Sequence, residues 1–125
     1  MSKNKNIIIL GLNAVWQKNI SFDELKIGEV HRAKKVKTYA SGKGTNVAWA
    51  LSRCGHRHVT LLQACGGHTG QLIAKDLDLA PFQTSNIPIA SESRVCTTLL
   101  ESQGRCTELI EPSPELSVNE WYLLA

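Results

Sequence analysis

The chain has 125 residues, 42% hydrophobic and 20% charged, with a formal net charge of +3. That make-up fits one small globular domain able to bury about 65% of its extended surface. The longest apolar run, Ile7–Leu10, is far too short for a bilayer, and no signal-peptide core follows the polar start, so a cytoplasmic setting is expected.

Charge is uneven along the chain. Residues 1–62 carry 11 Lys/Arg against 3 Asp/Glu, a net +8; residues 63–125 carry 3 against 8, a net −5. A basic half beside an acidic one suits an anionic ligand on one side, and it suits plain surface charge equally. Four cysteines (Cys54, Cys65, Cys96, Cys106) show no C-x-x-C spacing. They read as reduced thiols rather than a zinc site, and no metal ligand is assigned.

In chain order, residues 6–12 (NIIILGL) have the Ile-rich pattern of a strand buried on both faces. Residues 13–21 leave that strand at the end where open α/β sheets place their ligands. Residues 22–28 (FDELKIG) close on a turn glycine, and 31–39 (HRAKKVKTY) carry basic residues on both parities. The latter predict a little-buried strand outside the main sheet.

Residues 41–55 (SGKGTNVAWALSRCG) are a glycine-rich turn running into a helix. Val47, Ala50, Leu51 and Cys54 have the spacing of one buried helix face, the helix is expected over 45–54, and Gly55 stands where a C′ glycine ends it. A glycine loop at a helix N-terminus offers free N–H groups to an anion or to sugar hydroxyls. It also fits a tight turn that only lets helix pack on strand. The Walker loop and the dinucleotide fingerprint both fail on spacing: position 37 is Lys, and Val47 stands where a third small residue is needed.

Residues 58–64 (HVTLLQA) predict a second buried strand, parallel and adjacent to the first. A glycine turn at 66–70 then feeds a helix over 71–79, ended by Pro81. Strand and helix in alternation imply right-handed crossovers and a parallel sheet with helices on both faces. Residues 94–101 and 105–110, joined by a turn at 102–104, predict a β-hairpin off that sheet. Ser117 and Glu120 form a capping box opening a last short helix. So few strands leave open edges, and the chain reads as the front of something longer.

The series ASGKGTNVAWAL (40–51), GLN (11–13), LKIGEVHRA (25–33), GGHTG (66–70), ESRVCTTLLE (92–101) and EPSPELSVNEW (111–121) resembles the PfkB sugar kinases of the ribokinase-like superfamily, in their phosphofructokinase and tagatose-phosphate kinase branch. The resemblance covers nearly the whole chain. It implies a ribokinase-like α/β fold with a small β lid, incomplete at the C-terminus. Residues 1–125 would be its sugar-binding and lid portion, without the nucleotide-binding portion. It implies phosphorylation of a sugar or sugar phosphate, with ATP and Mg held mainly by that absent portion. No catalytic residue is assigned within this chain.

By position, the resemblance gives Gly42, Gly44 and Asn46 to sugar hydroxyls and Lys43 and Arg94 to a phosphate, with Arg32 a weaker candidate. Asn46 as a helix cap and Arg94 as a lid-surface residue are the plainer alternatives. Gln17 stands where relatives place an Asp that grips the sugar, and His68 stands where the usual Gly-Gly-Asp turn has its Asp. The resemblance further implies a homodimer through the lid and no nucleic-acid or membrane partner. A non-catalytic sugar-phosphate binding module is the competing reading. Nucleic-acid binding through residues 31–37 would want interleaved aromatics, and only Tyr39 is near.

Overall fold

A computed structural model describes residues 5–125 as two sheets and three helices. The first sheet has three parallel strands in the order β1 (Ile7–Gly11), β4 (Val59–Gly66), β5 (Gln83–Ile89). The second has four strands in the order β3 (Lys35–Ser41), β2 (Val15–Phe22), β6 (Arg94–Glu101), β7 (Cys106–Ile110). The adjacent parallel pair and the separate hairpin are as the sequence predicts. The helices are α1 (Lys43–Arg53), α2 (Gly67–Asp76) and α3 (Val118–Leu124). Among the described residues, no helix is long and apolar enough to cross a membrane.

Two strands were not visible in the sequence. Residues 13–21, expected as a connection, are mostly β2, paired antiparallel to β3 and parallel to β6. β5 (QTSNIPI) is polar and holds Pro88, which a strand tolerates only where an N–H is not needed; β5 is an edge strand. The helix expected at 71–79 begins instead at Gly67, so the glycine turn is its first turn.

The core forms between the first sheet and α1 and α2. Ala48 of α1, Ile73 of α2 and Leu77 at the C-cap of α2 close over Val59, Leu61 and Cys65. The crossovers from β1 to β4 and from β4 to β5 step in one direction, so right-handedness puts both helices on one face. The other face stays open at β1, where Ile8 is 74% and Leu10 56% exposed. The expectation of a first strand buried on both faces is therefore corrected; α3 packs against β5.

The buried face of α1 is also rotated from the one expected. Thr45 and Ala48 are buried, while Val47, Ala50 and Cys54 are exposed. Its phase is set by Gly44, where an added Cβ would stand 2.7 Å from Gly11 Cα. The C-terminus behaves as predicted: Gly55, at φ 89°, donates to Ser52 O, and His56 donates to Leu51 O. The capping box on α3 forms as well, Ser117 and Glu120 each accepting the other's N–H. All four cysteines are free. Burial pushes the Cys65 thiol up to about 11, so it stays protonated at neutral pH.

Leu61 has no exposed surface at the middle of this core. Leu61→Ala should cost about 2–5 kcal/mol, read as a lower urea midpoint with an unchanged slope. A change below about 1 kcal/mol would contradict the packing described.

Three glutamates tie connections together, and each carboxyl is held below its usual range. Glu92 is held down chiefly by the Thr69 N–H, Glu101 by the Arg105 guanidinium, and Glu120 by the Ser117 N–H. A carboxyl whose folded pKa is depressed contributes fully above its unfolded pKa, near about 4.3, and loses that contribution as pH falls through the folded value. The urea midpoint should stay level from neutral pH to about 5 and drop steadily below about 4.3. A midpoint that rises on acidification would show that these contacts do not stabilise the fold.

Candidate functional site

At the carboxyl ends of β1 and β4 lies a cleft of about 330 Å³, between the start of α1 and the first residue of β6. A larger hollow, about 540 Å³, opens at the opposite end of the sheet around Asn6, His58 and Pro81. The smaller cleft is the stronger candidate, because open α/β sheets bind ligands beyond the carboxyl ends of their strands. It also gathers buried polar atoms that have no partner among the described residues.

One wall is the first turn of α1. Gly42 is its N-cap at φ 120°, and no side chain caps the helix. A Cβ on Gly42 would stand 3.0 Å from Asn13 O, so the glycine lets the chain after β1 close against the helix. Lys43, Gly44 and Thr45 follow along the cleft. Their N–H groups belong to the orphan donors of a helix N-terminus, where the dipole favours negative charge.

The opposite wall is Arg94. Its Nη1 donates to Glu111 O at 3.4 Å, a long contact. Its Nε is buried with no partner among the described residues. Asn13 is in the complementary state: Nδ2 donates to Ser113 Oγ at 2.6 Å, while Oδ1 is buried and unpartnered among the described residues. The cleft thus presents a buried donor and a buried acceptor, groups that a ligand or water can satisfy. Gln63, 1% exposed, forms the floor, its amide oriented by donation to Asn86 Oδ1 at 2.9 Å.

Four of the seven residues predicted from sequence thus meet: Gly42, Lys43, Gly44 and Arg94. Asn46 does not cap α1. It lines a separate groove with Tyr39, Trp49 and Arg53. Gln17 sits on the lid sheet, two residues beyond Val15, the register partner of Arg94, and so on the same sheet face. Its Nε2 donates to Thr98 Oγ1 at 2.7 Å and Asn19 Oδ1 at 3.0 Å. Both amide hydrogens are used, which leaves Oε1 as an acceptor.

Arg32 is not brought to the cleft. It is exposed in the β2–β3 connection, beyond the Ser21–Lys35 pair at the far end of the lid. At strand rise that is on the order of 20 Å from the Val15–Ser41 end. His68 lies in the first turn of α2, where its N–H donates to Glu92 Oε2 at 3.2 Å.

Asn13, Thr45 and Gln63 are cleft residues that the sequence reading passed over. Gln63 had a signal, as the one amide in an otherwise apolar strand run. No carboxylate lines the cleft, and among the described residues no three His, Cys, Asp or Glu side chains gather where they could hold a metal ion. These residues therefore do not fit Mg or a nucleotide bound through it, and no step is derived through either.

The sequence profile of the pfkB family carbohydrate kinase matches residues 11–123. Among solved structures, the chain is similar to a provisionally assigned phosphofructokinase from Staphylococcus aureus, with 25% identity and a TM-score of 0.83. That match covers 94% of this chain and 38% of the other. It is also similar to phosphofructokinase-2 from Escherichia coli in complex with fructose-6-phosphate, at 19% identity and a TM-score of 0.88, covering 95% and 39%. A provisionally assigned 1-phosphofructokinase from Thermotoga maritima matches at 19% identity and a TM-score of 0.84, covering 95% and 39%. The chain spans about two fifths of the length of these structures. The fold is thus shared with these structures, and the chain belongs to the pfkB family of carbohydrate kinases.

Proposed function

We propose that this chain supplies the sugar-binding half of a cytoplasmic, ATP-dependent kinase for a sugar or sugar phosphate of the fructose or tagatose phosphate type. The observation that carries the reading is the cleft itself, with two cations, a buried Arg94 Nε without a partner and no carboxylate among the described residues. Lys43 and Arg94 hold the phosphate, Arg as a fork and Lys as a point charge. The α1 N–H groups around Gly42 and Gly44 take hydroxyls, and Gln17 adds an acceptor from the lid; Asn46, in its separate groove, is not assigned to the ligand. ATP and Mg fall to a portion outside this chain. A second copy would meet this one at the lid, where Val36, Leu109 and Ile110 are exposed.

Phosphoryl transfer needs a base on the acceptor hydroxyl and a positioned, neutralised phosphate chain. The cleft has no carboxylate to be that base, which favours a non-catalytic sugar-phosphate module as the second reading. Both readings predict no transfer from ATP to fructose 6-phosphate, fructose 1-phosphate or tagatose 6-phosphate by the purified 125-residue chain. Turnover free of contaminating kinase would overturn that. The pfkB resemblance implies a later Gly-Ala-Gly-Asp motif that supplies the base and an anion hole, so an open reading frame that continues into one separates the two readings in favour of the kinase.

The binding assignment is tested by titration with fructose 6-phosphate, the sugar phosphate held by a structural neighbour, beside fructose. Arg94→Ala should cost about 1.5–3 kcal/mol for the phosphorylated ligand, roughly tenfold to a hundredfold in affinity. Fructose affinity should hardly change. Equal losses for both ligands would make Arg94 a structural residue.

A further inference from the structure

β4 passes into α2 at Gly66 and Gly67 with no connecting loop, and residues 91–93 cross that junction on the way from β5 to β6. The crossing is tight. A Cβ on Gly66 would stand 2.0 Å from Ser91 O, and one on Gly67 would stand 1.6 Å from a Glu92 carboxylate oxygen. Gly67 also has φ 65°, so glycine is required there twice over.

Two residues fasten the crossing. Ser93, 2% exposed, donates its N–H to Gly66 O at 3.0 Å, and its Oγ accepts the Gly66 N–H at 3.0 Å. Glu92 accepts the Thr69 N–H at 2.6 Å and the His68 N–H at 3.2 Å. These are orphan donors of the first turn of α2, and a carboxylate there also meets the positive end of the helix dipole. The glycine turn at 66–70 is therefore already filled by the chain's own anion.

The next residue is Arg94, where the lid strand begins and the cleft wall stands. Its side chain has only the long contact to Glu111 O, and its Nε is buried without a partner among the described residues. Arg94 pairs with Val15 on the lid, follows directly on Glu92 and Ser93, and precedes Val95, whose N–H donates to Glu111 Oε2 at 2.8 Å.

We propose that Glu92 is a positioning residue: by bonding the N-terminus of α2, it fixes how Arg94 enters the cleft and hence how the ligand's anionic group is held. The identity of that ligand rests on the sugar-phosphate reading; the coupling from Glu92 to Arg94 does not. Glu92→Ala removes the acceptor and the charge, whereas Glu92→Gln keeps one acceptor oxygen.

The test is made on the full chain, ¹⁵N-labelled and free of ligand, by following the Arg94 Nε–Hε cross-peak. Glu120→Ala, which deletes the carboxylate contact to the Ala90 N–H, is the control for loss of an exposed carboxylate. Glu92→Ala should shift or broaden the Arg94 cross-peak while the β1 and β4 amides keep their positions; Glu92→Gln should do so less, and Glu120→Ala not at all. An unmoved Arg94 cross-peak in folded Glu92→Ala overturns the proposal, as does an equal shift in Glu120→Ala. If Glu92→Ala does not fold, Glu92→Gln is read by the same criterion.

Titration adds the functional readout. Glu92→Ala should lose about tenfold in fructose 6-phosphate affinity and stay within about twofold for fructose. Equal losses for the two ligands overturn the positioning role. Should the unmutated chain bind neither ligand, the sugar-phosphate reading fails, and the Arg94 cross-peak still decides the role of Glu92.

Discussion

The contact on which the structure turns is backbone against backbone: Gly44, at the start of α1, resting on Gly11, at the end of β1. With 2.7 Å between a would-be Cβ and Gly11 Cα, any side chain at position 44 forces helix and strand apart. That one approach fixes the phase of α1, which buries Thr45 and Ala48 and leaves Val47 exposed. It also puts the helix's free N–H groups directly over the carboxyl ends of the parallel strands. The cleft exists because two glycines meet there.

The lid is the second constraint. Parallel pairing of β2 with β6 places Arg94 opposite Val15, so the strand leaving β1 and the strand leaving the α2 junction enter the lid side by side. One face of the lid then carries Arg94, Gln17, Asn19, Thr98 and Tyr39, the last four joined through Gln17 and Asn19 by hydrogen bonds. A polar network of this kind holds each side chain in one orientation. Ala40 N–H donates to Asp76 Oδ2, tying β3 to the end of α2. The lid is thus fastened to the core at both ends of α2, through Glu92 at its start and Asp76 at its finish.

Much of this was legible in the sequence where local chemistry decides the outcome. The Ile-rich run, the Gly42–Gly55 turn-helix unit, the 94–110 hairpin and the Ser117–Glu120 box all depend on short-range signals. What was hidden depends on partners far along the chain. β5 is polar and interrupted by Pro88, and only its place at a sheet edge makes it a strand. β2 alternates in the way a ligand loop also can. The face of α1 was misread because tertiary contact with Gly11 outweighed the apolar spacing of Val47, Ala50 and Cys54. Gln63 gains its meaning only from lying in register with Gly11 on one side and Asn86 on the other.

Charge shows the same division. The basic excess of the first half is spent largely on the lid and its connections, where Lys34 pairs with Asp23 and Lys37 lies 5.5 Å from the Tyr39 ring centre. Of the cleft's two cations, one comes from the basic half and the other, Arg94, from the acidic half. A net count could not have found the site; convergence of two walls made it. Gln17 completes the argument. An Asp at that position would place a negative charge on the face that carries Arg94 and partly neutralise it from within. Gln17 keeps an acceptor oxygen for a hydroxyl and brings no charge. The carboxylate that does stand beside Arg94, Glu111, is engaged by the Val95 N–H at 2.8 Å, and Gln17 adds no second negative charge to that face.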